Sequence, residues 1–197
     1  MTPHKGEQWR MFCAVELPEA IRNRIEKHIE RLRAAVPESQ PSWARVANIH
    51  LTLKFFGNVE HSRVNQITDA LFRAVEDVSK FKVSIVATGA FPNTKQPRVL
   101  WIGVNDSSEQ LERLHKCIDQ ECAKEGFERE TRAYRPHLTI ARIRKPEGAR
   151  ALAEANQDFG FEPMEMLVGE VLLFRSELSS KGSRYTVVSR HKLSDML

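Results

Sequence analysis

Cysteine is scarce in this chain: Cys13, Cys117 and Cys122 are the only three in 197 residues, an odd number with no Cys-x-x-Cys pair among them. That excludes a disulfide framework and fits a reducing compartment. His115 lies near two of them, yet positions 115, 117 and 122 do not share one helix face, so no metal site is read there. Also missing is any apolar run of about 18 residues, and with it a membrane-spanning helix. The N-terminus has no signal-peptide core. The chain therefore reads as soluble and cytoplasmic, with no membrane partner. Low-complexity linkers are absent as well, so residues 1–197 read as a single domain. Charge is nearly balanced: 30 Lys and Arg against 26 Asp and Glu give a net +4. So mild a surplus fits a polyanionic partner and fits a protein without one equally well.

What is present is an alternation of strand and helix patterns. Residues 9–17 form a largely apolar strand ended by Pro18, which also suits the first turn of a helix. Ile21, Ile25, Ile29 and Leu32 then recur at helical spacing. Pro37 and Pro41 break that helix. Residues 42–46 read as a short strand leading into a longer one over 49–56, which Gly57-Asn58 closes. Val64, Ile67, Leu71, Val75 and Val78 mark a second helix. Strands follow over 81–91 and 98–104, and Asp106-Ser107-Ser108 caps a third helix that ends at Gly126. A strand over 137–143 and a short helix over 147–156 come next. Two strand-like runs, 165–176 and 184–190, complete the chain and are separated by the polar loop Ser179 to Ser183. This order predicts an α+β fold whose two halves dock tightly.

One pattern occurs twice. His50-Leu51-Thr52-Leu53 and His137-Leu138-Thr139-Ile140 each set a histidine and a threonine two positions apart in an apolar frame, 87 positions from one another. Strand side chains alternate between faces, so His and Thr at i and i+2 share one, roughly 7 Å apart along the strand. Leu51 and Leu53, like Leu138 and Ile140, then point to the other face and a core. A single copy would be an ordinary half-exposed strand histidine. Two copies point to halves of similar build, each presenting an imidazole and a hydroxyl to a shared cleft. His4, His28, His61, His115 and His191 have no such context and read as surface or structural residues.

Histidine titrates near neutrality, so one copy can serve as general base while the other serves as general acid, each role worth roughly 10²–10⁴ in rate. Threonine hydroxyls suit the anionic oxygens of a group held between them. A phosphodiester displaced in line has that geometry. A serine-type triad fits less well because no nucleophile is evident beside either histidine. A zinc site fits less well because neither motif carries an adjacent carboxylate or cysteine. Chemistry without metal or cofactor is therefore preferred. Arg142 follows the second motif and could hold phosphate with its rigid fork of donors. Strict alternation puts Arg142 on the face opposite His137, so a bulge or the strand end would have to redirect it. A surface salt bridge is the competing account. Lys54 shares the parity of His50 and Thr52, which directs it towards substrate phosphates or simply to solvent.

Five stretches carry a resemblance: Arg10 to Pro18, Asn48 to Gly57, Arg98 to Gly103, Arg135 to Arg142, and Val171 to Tyr185. With the paired motifs among them, the chain resembles the two-histidine (2H) phosphoesterase superfamily, in its RNA 2′,3′-cyclic phosphodiesterase branch, also called 2′-5′ RNA ligase. The resemblance implies a bilobal α+β fold, an antiparallel sheet in each lobe with helices on the outer faces, and a pseudo-twofold axis around a central cleft. It implies one motif per lobe, at 50–52 and 137–139. It also implies metal-independent opening of a terminal 2′,3′-cyclic phosphate on RNA to a 2′-phosphomonoester, and the same chemistry run backwards as 2′-5′ ligation. His50 would be the proton donor, His137 the proton acceptor, and Thr52, Thr139 and Arg142 the phosphate ligands. Trp43, Arg45, Lys54 and Phe12 are further candidates for substrate contact. A second phenylalanine common in the opening strand is Cys13 here, which puts a base contact from that position in doubt. Partners would be RNA ends or nucleotides bearing the cyclic phosphate, acted on by a monomer. A non-catalytic RNA-end-binding module is the alternative of another class. The same chemistry on 2′-5′ oligonucleotides or other cyclic nucleotides is the alternative substrate.

Overall fold

Two antiparallel sheets divide the strands of the chain, and the computed structural model describes residues 6–179 and 182–195 of it. The first sheet contains β1 (Gln8–Glu16), β3 (His50–Glu60), β8 (Glu170–Ser179) and β9 (Gly182–Lys192), in the order β3-β1-β8-β9. The second contains β2 (Ser42–Trp43), β4 (Phe81–Phe91), β5 (Val99–Asn105), β6 (His137–Arg142) and β7 (Met164–Val168), in the order β2-β6-β5-β4-β7. Helices α2 (Val64–Val75) and α3 (Gln110–Lys124) pack on each other and on the first sheet. Helices α1 (Glu19–Ala35) and α4 (Ala149–Phe159) pack on each other, with α4 against β4 of the second. The expected α+β architecture is therefore present. Its two lobes are not consecutive halves of the chain, because the first sheet is built from both ends of it. Of the sequence features named above, His4, Ser180 and Lys181 lie outside the described residues.

Alternation along the strands sorts the side chains. In the first sheet Met11, Cys13 and Val15 with Leu51 and Leu53 join the main core beneath the helices. Phe12, Ala14, Leu172 and Phe174 form a separate small cluster on the other face. In the second sheet Leu100, Ile102, Leu138 and Ile140 belong to the main core. Each sheet thus has one face committed to helices, and the other is left for the site.

Several element boundaries differ from the expectation, among them the strand expected over 42–46, which ends at Trp43, and the second helix, which ends at Val75. Gly57 does not end its strand: at φ +70° it takes a left-handed conformation that Gly adopts without strain, and β3 runs on to Glu60. The pairing of β1 with β3 shifts register there, between Met11 and Phe12, so the glycine makes a bulge and not a stop. The single run expected over 165–176 is two strands in different sheets, with Gly169 between them. The strand expected over 184–190 reaches back to Gly182 and on to Lys192 as β9. The cap expected at Asp106 is present, its carboxylate accepting from the Ser108 amide at 3.0 Å and the Leu111 amide at 2.6 Å.

Candidate active site

His50 and His137 open β3 and β6, and these two strands lie against one another between the sheets. Each ring is fixed by the same local device. The Nδ1 of His50 lies 2.8 Å from the Asn48 carbonyl, and the Nδ1 of His137 lies 2.7 Å from the Arg135 carbonyl. A carbonyl only accepts, so Nδ1 must carry the proton in both, leaving each Nε2 for a ligand. The residue two back from each histidine is therefore part of the motif's geometry. The approach to β3 is further held by Asn48, whose amide donates to the Ser183 carbonyl at 2.8 Å. Thr52 and Thr139 are half-buried, and among the described residues neither hydroxyl has a protein partner.

The surroundings of the two rings differ. His50 stacks on Phe12 at 4.6 Å between centroids and meets the edge of Tyr185 at 5.4 Å, with Phe174 at 6.1 Å. Loss of water around the imidazole pushes its pKa down to about 4, against a small opposing pull from the Asn48 carbonyl. Among the described residues His137 has one aromatic neighbour, Phe91, at 5.1 Å edge-on.

Both motif strands carry the same irregularity. In β3, Thr52 pairs with Ala14 and Lys54 with Cys13, so Leu53 is the extra residue of a bulge. In β6, Thr139 pairs with Trp101 and Ala141 with Leu100, so Ile140 is the extra one. The burial sequences from His50 to Phe55 and from His137 to Arg142 are identical as a result: two alternating pairs, then a buried residue, then an exposed one. The bulge returns Arg142 to the His137 face, which resolves the parity conflict seen in the sequence. It has the opposite effect on Lys54. Lys54 is buried, its ammonium bonded to Asp119 at 2.5 Å and to the Glu128 carbonyl at 2.7 Å. The proposed phosphate contact from Lys54 is corrected accordingly. Phe55 takes the place that strict alternation gave to Lys54. It is 61% exposed beside Phe12, ring centroids 5.7 Å apart. Phe55 was not anticipated, although its spacing from His50 matches that of Arg142 from His137.

The remaining candidates separate. Phe12 is buried under His50 and so touches the imidazole, not solvent. Cys13 faces the helices, fully buried, so its position would offer a base nothing whatever side chain stood there. Trp43 pairs with Ala141 on the core face and lies under the Arg33 guanidinium at 5.3 Å, which removes it from the motif face. Arg45 is exposed and its guanidinium lies beside Gly182, the first residue of β9. His115 is buried, stacked on Tyr134 at 4.1 Å, and Tyr134 in turn donates from its hydroxyl to the Thr52 carbonyl at 3.2 Å. That bond ties the segment before β6 to the middle of β3. Among the described residues no group of three or more His, Cys, Asp or Glu is arranged to hold a metal ion.

The sequence model of the 2′-5′ RNA ligase superfamily matches residues 18–179. An RNA 2′,3′-cyclic phosphodiesterase of Methanothermobacter thermautotrophicus is 36% identical over 178 residues, covering 90% of this chain and 95% of its own. One from Archaeoglobus fulgidus is 33% identical over 181 residues, covering 89% and 96%. The crystal structure of a Thermus thermophilus protein superposes with a TM-score of 0.74 at 24% identity, covering 94% of this chain and 98% of that one. LigT of E. coli, crystallised with 3′-AMP, superposes with a TM-score of 0.71 at 23% identity, covering 96% and 100%. Two sheets with a His-x-Thr strand in each, a family match over most of the chain and relatives above 30% identity together place this protein in the 2′-5′ RNA ligase superfamily, among the 2H phosphoesterases.

Proposed function

We propose that this protein hydrolyses the terminal 2′,3′-cyclic phosphate of RNA to a 2′-phosphomonoester, using its own side chains and no metal. Water attacks phosphorus and gives its proton to Nε2 of His137. The P–O3′ bond breaks, and O3′ takes the proton held on Nε2 of His50. Thr52 and Thr139 donate to the non-bridging oxygens, and Arg142 supplies the positive charge that the bulge directs to this face. Phe55 offers an exposed ring to the terminal base. The observation that carries this is the repeated carbonyl anchor on Nδ1, which leaves two equivalent nitrogens free on neighbouring strands.

His50 needs a proton before it can act as donor, and burial opposes that in the free protein. An anionic phosphodiester beside it acts the other way, favouring imidazolium by direct charge attraction. Substrate binding and protonation of His50 are therefore coupled. The test is turnover of a nucleoside 2′,3′-cyclic phosphate in the presence of EDTA, with the 2′- and 3′-monophosphates separated. The 2′ product should accumulate. Binding without any product would instead support an RNA-end-binding module, and loss of turnover in EDTA would contradict the metal-free scheme. The relatives that are RNA 2′,3′-cyclic phosphodiesterases favour turnover over holding alone.

A further inference from the structure

The chain's positive charge is not spread evenly. The β4–β5 connection, residues 92–98, and residues 142–150, from the end of β6 into α4, together hold six Lys and Arg and one carboxylate, Glu147. That surplus of five (six minus one) exceeds the net +4 of the whole chain, so the remainder is slightly acidic. These two segments line one groove of about 660 Å³, into which Lys95, Arg98, Arg144 and Lys145 contribute. None of those four forms an ion pair among the described residues, whereas Arg150 at the groove's end is bonded to Glu154 at 2.8 Å. The groove is coupled to the active site through the backbone. The Ile143 amide, next in chain to Arg142, donates to the Arg98 carbonyl at 2.9 Å. The Arg98 amide donates to the carbonyl of Phe91 at 2.7 Å, and the Phe91 ring meets His137. The loop is itself braced, the Asn93 side chain accepting from the Lys95 and Gln96 amides at 3.0 Å each. Four cations without carboxylate partners, held on braced loops beside the phosphate-facing Arg142, suit a chain of phosphates better than a single anion.

We propose that this groove binds the backbone phosphates of the RNA immediately 5′ of the terminal nucleotide, so that the protein holds a polymer and not only its end. The inference rests on the cyclic phosphodiesterase function proposed above, and its test keeps the two apart. Binding of a ten-residue oligoadenylate ending in a plain 3′-hydroxyl is followed by fluorescence anisotropy across a salt series. Hydrolysis of a nucleoside 2′,3′-cyclic phosphate is followed separately. The variants are Lys95→Ala with Arg98→Ala, and Arg144→Ala with Lys145→Ala. Each pair should weaken oligomer binding roughly tenfold at low salt and flatten the log–log salt slope by about 0.7 for each phosphate the groove no longer neutralises. Turnover of the mononucleotide should stay at the wild-type rate. Equal oligomer affinity in wild type and variants would overturn the proposal, as would parallel loss of mononucleotide turnover. Capture on phosphatidylserine vesicles that depends on these four residues, with oligomer binding that does not, would overturn it in favour of a membrane surface. A wild type inert towards the mononucleotide would refute the catalytic function while the oligomer measurement still judged the groove.

Discussion

His50 and His137 share a backbone anchor and differ in what surrounds the ring, and the difference carries a kinetic signature. The pH dependence of kcat/KM reports groups in the free enzyme, and that of kcat reports the substrate complex. If His50 is the acid, the required imidazolium disappears from the free enzyme as pH rises above about 4. Above that pH the free enzyme holds the competent form only as a minor population, so kcat/KM should break near pH 4. The corresponding break in kcat should lie distinctly higher because bound phosphate holds the proton. A break at the same pH in both profiles would show that bound phosphate does not raise the proton affinity of this imidazole. At this scale the sequence was legible where a pattern repeated: it placed both histidines and both threonines of the candidate site on one face of their strands. Trp43 could not, because nothing in residues 42–46 tells which face a two-residue edge strand presents.

The bulges are what sequence alternation could not show. A single inserted residue in each motif strand buries Lys54 and Ala141 and exposes Phe55 and Arg142, and hydrophobicity alone does not mark Leu53 or Ile140 as the extra residue. The same holds for Gly57, which turns a strand that it was expected to end. Lys54 and Asp119 are both largely shielded from water, and their attraction holds the Asp119 carboxyl below its usual range despite burial. Lys54→Ala leaves that carboxylate without its counter-charge, and should lower stability by about 3–5 kcal/mol in urea unfolding, as for a broken buried pair. It should leave the salt dependence of substrate binding unchanged, which a phosphate-contacting lysine would not. Phe55→Ala should do the reverse. With 61% of the ring exposed, stability should change by no more than about 0.5 kcal/mol. Nucleotide binding, read as KM, should weaken by about 1–3 kcal/mol through the lost stacking surface.

Across the whole molecule, burial acts in one direction on several imidazoles. Desolvation lowers the pKa of His28, His50, His115 and His191 alike. Each folded value lies below the value of about 6.5 expected in the unfolded chain, so the unfolded state binds more protons below neutrality. Stability is thus fully present above about pH 6.5 and is lost as pH falls towards 4. Urea midpoints at pH 7.5 and 5 should show the decline, and equal midpoints would show that the buried rings are protonated at no cost. The interleaving of the lobes was not legible in the sequence, since the two motifs suggested halves in series. The chain instead returns at β8 and β9 to complete the first sheet, a long-range pairing that no local pattern encodes.

The proposed chemistry requires the two imidazoles to act on one phosphorus from different strands, and everything else in it depends on that. Single-turnover hydrolysis of a nucleoside 2′,3′-cyclic phosphate by His50→Ala and by His137→Ala, with each variant's fold checked by circular dichroism, tests it most directly. Each folded variant should lose roughly 10²–10⁴ in rate. A folded variant of either kind that kept the wild-type rate would contradict the account.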